Sequence, residues 1–195
     1  MQDKKTRGNS GNGHITLKKF FGHLSTILHH KKLVRKACFQ AGLYKQGLCH
    51  DLSKFSPTEF WVGVRYFQGD RSPNNAEREE KGYSSAWLHH KGRNKHHMEY
   101  WIDYSLTPGH KLDGMRMPEK YVVEMFCDRL SACKTYQKEK YTDASALAYF
   151  ERGMGHYTLH PESEKLIRSL LTMVKEEGEE KTFDYIRREV LHNKK

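Results

Sequence analysis

The 195-residue chain predicts an all-α fold, and three observations carry that reading. Apolar residues recur at three- and four-residue steps over most of its length, the spacing of a buried helical stripe. Ser-Pro, His-Pro and Gly positions punctuate these stretches as helix starts and stops. No segment alternates apolar and polar residues convincingly, as a half-buried strand would.

The elements follow in order. Residues 1–14 are polar and rich in glycine, too poor in apolar groups to offset ordering entropy, and read as a disordered tail. A helix begins near Thr16, with Leu17, Phe20, Phe21, Leu24, Ile27 and Leu28 as its buried stripe. Leu33, Val34, Ala37, Cys38 and Ala41 extend it to Gly42. Residues 47–52 read as a short buried segment. Ser56-Pro57-Thr58-Glu59 has the layout of a capping box and opens a helix through Phe60, Trp61, Val64 and Phe67. Residues 69–84 look like an exposed connection able to act as a lid. Residues 86–104 are dense in His and aromatics, and Pro108, Gly109 and Gly114 break the chain after them. Pro118 opens a long helix carrying Tyr121, Val122, Met125, Phe126, Leu130 and Cys133. Further helices are expected at Ala144–Phe150, Leu166–Val174 and Phe183–Leu191.

Residues 15–195 suit one helical domain in size. No stretch approaches the ~20 apolar residues of a membrane span, and no secretory signal opens the chain, so a soluble, cytoplasmic protein is expected. Cys38, Cys49, Cys127 and Cys133 lack the paired spacing of a zinc ribbon or disulfide framework and read as small buried hydrophobes. A net charge of +10 favours an anionic partner, a phosphorylated small molecule or a nucleic acid, with Lys and Arg dispersed and interleaved with Glu.

Histidine carries the chemistry. Nine of the thirteen lie between His23 and His110, six of them as the adjacent pairs His29-His30, His89-His90 and His96-His97. Imidazole is a common metal ligand, and carboxylates complete its sites. His50-Asp51 is the sharpest element, because an imidazole and a carboxylate on consecutive residues can address one ion or two neighbouring ions. Lys54 follows, giving His-Asp-Leu-Ser-Lys.

This stretch resembles the His-Asp-x-x-Lys signature of HD-domain phosphohydrolases, especially the HD-GYP phosphodiesterase branch. Upstream, His30-Lys31-Lys32-Leu33-Val34 looks like that superfamily's first-ligand helix. Downstream, Asp128-Arg129-Leu130-Ser131-Ala132, then Tyr136 and the helix from Asp143 to Phe150, resemble its closing Asp segment. The similarity covers roughly residues 24–150, and the intervening His-rich segment resembles that of dinuclear members and of a small bacterial and phage family. The Gly-Tyr-Pro motif is absent, so the cyclic dinucleotide substrate is not implied. The two histidine pairs also lie closer together than in that branch.

The resemblance implies an HD-like helical bundle around one or two divalent ions (Mn, Fe, Co, Ni, Zn or Mg). His30, His50, Asp51 and Asp128 would hold one ion, Asp51 would bridge, and His90, His96 and His97, with His89 next, would hold the second. His23 is the rival of His30 as first ligand. The implied reaction is phosphoester cleavage, possible on a nucleotide, by a hydroxide bridging the metals, with Asp51 catalytic. Lys54 would meet a phosphate oxygen or the leaving group, and Arg93 and Lys95 are further phosphate contacts. Glu99 and Glu124 are candidates to orient the ligand imidazoles. Two other readings stand beside it: an HD-type di-iron oxygenase, and a basic helical protein without enzymatic activity that stacks bases on Trp61, Tyr66, Tyr100 or Trp101.

Overall fold

The computed structural model describes residues 14–191, so the expected tail lies outside the described residues except for His14. Among them run α1 (Leu17–Gln40), α2 (Tyr44–Cys49), α3 (Pro57–Arg65), α4 (Pro73–Lys81) and α5 (Ser85–Lys91). A hairpin of β1 (Ile102–Tyr104) and β2 (Leu112–Gly114) follows, then α6 (Glu119–Gln137), α7 (Ser145–Gly153), α8 (Pro161–Glu177) and α9 (Glu179–Tyr185). The fold is all-α apart from that antiparallel pair, in which Asp103 faces Asp113. Three-residue strands are too short to show alternation in a sequence.

The helix α6 is the central element, with Val122, Val123, Met125, Phe126, Cys127 and Leu130 all buried. It packs against α1 on one side and α8 on the other. The edge-to-face pair Phe126 and Phe183, 5.8 Å between ring centres, joins it to α9. Leu170, Leu171 and Ile167 fill the α8 side with no exposed surface. Each such side chain contributes roughly 1.5–3 kcal/mol on burial.

The buried face of α1 matches the expected one at Ile27, Val34, Ala37 and Cys38 and differs from it elsewhere. Leu17, Phe21 and Leu28 are exposed, and the inward residues are His23, Ile27, His30, Val34, Ala37 and Cys38. Two histidines therefore occupy core positions, and the most apolar ridge points outward. The expected buried segment 47–52 is also mixed, since Gly47, His50 and Asp51 are buried whereas Leu48, Cys49 and Leu52 face out. Gly47 packs closely there, since a Cβ would stand 3.0 Å from that of Cys38. Lys31 fixes the segment against α1, donating to the carbonyls of Leu48 (3.0 Å) and His50 (2.6 Å). Cys38, Cys127 and Cys133 are buried free thiols, and Cys49, the exception, is exposed.

The connection expected over 69–84 contains α4. Its start at Ser72-Pro73 and its stop at Gly82, with φ of 80°, follow ordinary rules, but its sequence has no apolar stripe. Polar bonds hold it instead. Fully buried Glu77 accepts from the Ser84 and Ser85 hydroxyls, each at 2.7 Å, and so ties α4 to the start of α5. No helix among the described residues is long and apolar enough to cross a membrane.

Candidate metal centre

Five elements deliver the candidate ligands to one buried place. α1 presents His30, and the end of α2 presents His50 and Asp51. α5 and the turn behind it present His90, His96 and His97, and α6 presents Asp128. The turn after α2 depends on Asp51 itself, which adopts the left-handed conformation (φ 53°, ψ 29°) and precedes a 3-10 turn over Leu52–Phe55. Asp tolerates that region better than most residues, at a cost of about 1–2 kcal/mol, and strained backbone of this kind concentrates at functional sites.

Among the described residues, two groups of four share Asp51. His30, His50, Asp51 and Asp128 form one, and Asp51, His90, His96 and His97 the other, with the donor atoms of each group all within 4.8 Å of one another. The two carboxylate oxygens of Asp51 divide between them. Oδ2 lies 3.3 Å from His50 Nε2, while Oδ1 lies 3.3 Å from His90 Nε2 and 3.4 Å from His96 Nε2. Asp128 Oδ1 lies 2.9 Å from His30 Nε2 and 3.5 Å from His50 Nε2.

The far sides of the rings are held by carboxylates. Oε1 of Glu124 takes both His50 Nδ1, at 3.0 Å, and His96 Nδ1, at 3.2 Å. Glu59 takes His90 Nδ1 on Oε2 at 2.8 Å and His89 Nδ1 on Oε1 at 2.6 Å. A neutral imidazole that donates Nδ1–H to a carboxylate leaves the Nε2 lone pair free, the arrangement typical of metal-ligating histidine. Nε2 of His30, His50, His96 and His97, together with Oδ1 of Asp51, are buried without a hydrogen-bond partner. Buried polar atoms are rarely left so, and five converging on one place fit the donor set of a divalent cation.

Electrostatics agree with a site organised around Asp51. Burial alone would raise its carboxyl, but His50, Lys54 and His90 hold it well below the usual carboxylate range. Asp128 is likewise held well below that range against its burial, by His30 and His50. His97 is pushed well below the usual imidazole value by burial and then by His96 and His90, so it stays neutral with a lone pair to donate. Lys54 Nζ lies 2.6 Å from Asp51 Oδ2, and the carboxylates of Asp51 and Asp128 raise it against the opposing effect of burial.

The other sequence candidates separate in place. His89 is half-buried on Glu59 and belongs to neither group of four. His23 is buried outside both, between the Phe60 and Phe67 rings, so His30 supplies the α1 imidazole. Arg93 is exposed and donates to the His89 carbonyl at 3.2 Å. Lys95 is also exposed and lies over the Tyr100 and Tyr121 rings. Neither cation is bonded to a carboxylate of the cluster. Glu124 is the orienting carboxylate expected, whereas Glu99 stands on the 3-10 turn Met98–Trp101 and in none of the ligand groups.

Glu59 was not foreseen in this role. The Ser56 hydroxyl does accept from the Glu59 N–H, at 3.4 Å, as the capping layout predicts, but the Glu59 carboxylate turns inward to two histidines. Its place one turn before Gly63 and Val64, on the buried face of α3, is the signal that could have revealed it. Asn94 supports the same corner, donating to Ser53 Oγ and to the His90 carbonyl, each at 2.8 Å. It folds the chain back after α5, so that His96 and His97 face His90 without a continuous helix between them.

No curated protein and no solved structure matches the chain. A family model does, that of DUF5662, a family of unknown function, over residues 19–173, and the chain belongs to that family.

Proposed function

We propose that the protein is a metal-dependent phosphohydrolase whose centre holds two divalent ions, one in each group of four ligands, joined by Asp51. The observation that carries this reading is the division of Asp51: one carboxylate oxygen faces His50, and the other faces His90 and His96. The resemblance of His50-Asp51-Leu52-Ser53-Lys54 to the HD signature supports the choice of reaction. Two bound divalent ions lower the pKa of water toward neutrality and offset charge on phosphoryl oxygens.

The chain's own residues supply the rest. Glu124 and Glu59 keep the imidazoles in the tautomer that offers Nε2 inward. Lys54 stays protonated through the neutral range, with its ammonium 2.6 Å from Asp51 Oδ2. It is the group available to a phosphate oxygen or to the departing alkoxide. Burial of Asp51, His50 and His96 excludes bulk water from the ligand side, where it would otherwise weaken these interactions.

The test is turnover of phosphomonoesters, phosphodiesters and nucleotides by protein loaded in turn with Mn2+, Fe2+, Co2+, Ni2+ and Zn2+. Metal-dependent phosphate release, reduced about 100-fold in kcat by Lys54→Ala with metal content kept, is the expected result. Oxygen consumption by the iron-loaded form, with no phosphoester cleaved under any metal, would replace this reading with an oxygenase.

A further inference from the structure

We propose that the outward face of α1, with the turn and helix beside it, docks onto an anionic phospholipid bilayer. The first observation is the placement of charge. Residues 1–50 hold ten Lys and Arg against a single Asp, so nine of the net ten positive charges fall in the first quarter of the chain. Basic and acidic residues are interleaved only from Asp51 onward. α1 and α2 carry seven basic residues and no acidic one, and Lys18, Lys32, Arg35, Lys36 and Lys45 are exposed.

The second observation is apolar. Leu17, Phe21 and Leu28 are 77%, 62% and 51% exposed, and their spacing of four and seven puts them on one face of α1. Lys32 and Arg35 continue that face one and two turns further on. Trp61, 47% exposed, joins the ridge through Phe20, whose ring lies 5.9 Å from it and 5.2 Å from Phe21. Exposed Leu48 and Leu52 flank the His50-Asp51 turn, which Lys31 ties to α1. Large apolar groups left outward on neighbouring turns of one helix face mark a contact surface.

The combination selects the occupant. Leu, Phe and Trp seat in the headgroup boundary of a bilayer while flanking Lys and Arg meet its phosphates. Nucleic acid would use the same charges and stack on Phe21 and Trp61, but the other outward groups, Leu17, Leu28, Leu48 and Leu52, offer bases no face. A second copy would set one basic helix against another. The contact is with the surface only, for no helix among the described residues can span. This inference does not depend on the metal chemistry.

The test is sedimentation of the purified full chain with vesicles of phosphatidylcholine alone and of phosphatidylcholine with phosphatidylglycerol. Binding only to the anionic vesicles, weakened by added salt, is expected. Phe21→Ser with Leu28→Ser, and separately Lys32→Glu with Arg35→Glu, should each lower it about tenfold or more. Leu106→Ser, at the fully exposed tip of the hairpin, should leave it unchanged. Circular dichroism and melting of each variant separate lost binding from lost folding. Equal affinity for both vesicle types, or no binding to either, overturns the proposal. So does tighter binding to single-stranded RNA or duplex DNA, or a dimer by light scattering that Phe21→Ser dissolves.

Discussion

Single side chains decide how the centre is held. Glu124, outside both groups of four, touches both through His50 on one side and His96 on the other, whereas Glu59 touches only the His90 side. Outer carboxylates of this kind are worth about 10–100-fold in metal affinity. Glu124→Gln should therefore weaken both ions, and Glu59→Gln one of the two, as read by calorimetric titration of metal-free protein. Equal loss at both sites in Glu59→Gln would contradict the arrangement. The residues that gather at the centre stood out in the sequence because histidines cluster there as adjacent pairs and beside an Asp. Glu59 was not, because a carboxylate three residues after Ser56 satisfies the capping pattern as well as it does a histidine.

At the scale of elements, the crossing of α1 and α3 is as tight as the centre. A Cβ on Gly63 would stand 2.1 Å from His23 Nε2, so Gly63→Ala must displace the imidazole or the helix. A loss of about 1–3 kcal/mol in urea unfolding is expected, with metal stoichiometry kept. His23 also makes this contact sensitive to pH. Burial and then Lys54 lower it from 6.5 to about 4, so the folded state holds it neutral where the unfolded chain takes up a proton. Its contribution to stability is complete above pH 6.5, falls as the pH drops toward about 4, and amounts to at most about 3 kcal/mol. His23→Gln should flatten that part of the stability profile relative to wild type. The helix order was readable from caps and periodicity, and so was the inward face of α1 from Ile27 to Ala41 apart from Leu28 and His30, but not that of its first turns. A hydrophobic count ranks Leu17, Phe21 and Leu28 above His23 and His30, yet the ligand cluster takes His30 inward and the Phe60 and Phe67 rings cover His23. α4 escaped for a related reason, since Glu77 and its hydroxyl partners fix it without an apolar stripe.

Over the whole molecule, the core formed by α6, α8 and α9 is apolar, and the centre beside it is not. Burying His50, Asp51 and His96 together opposes folding unless a cation or their mutual contacts offset the desolvation. Chelation should thus lower the melting temperature by roughly 5–15 °C, with recovery when a divalent ion is returned. A melting curve indifferent to chelator and metal would mean that the histidine and carboxylate contacts suffice alone. The most direct measurement is elemental analysis of protein purified without a histidine tag. Two divalent ions per chain in wild type, both lost in Asp51→Ala, is the predicted result. No stoichiometric metal in wild type, or undiminished metal in a folded Asp51→Ala variant, would contradict a centre built on that carboxylate.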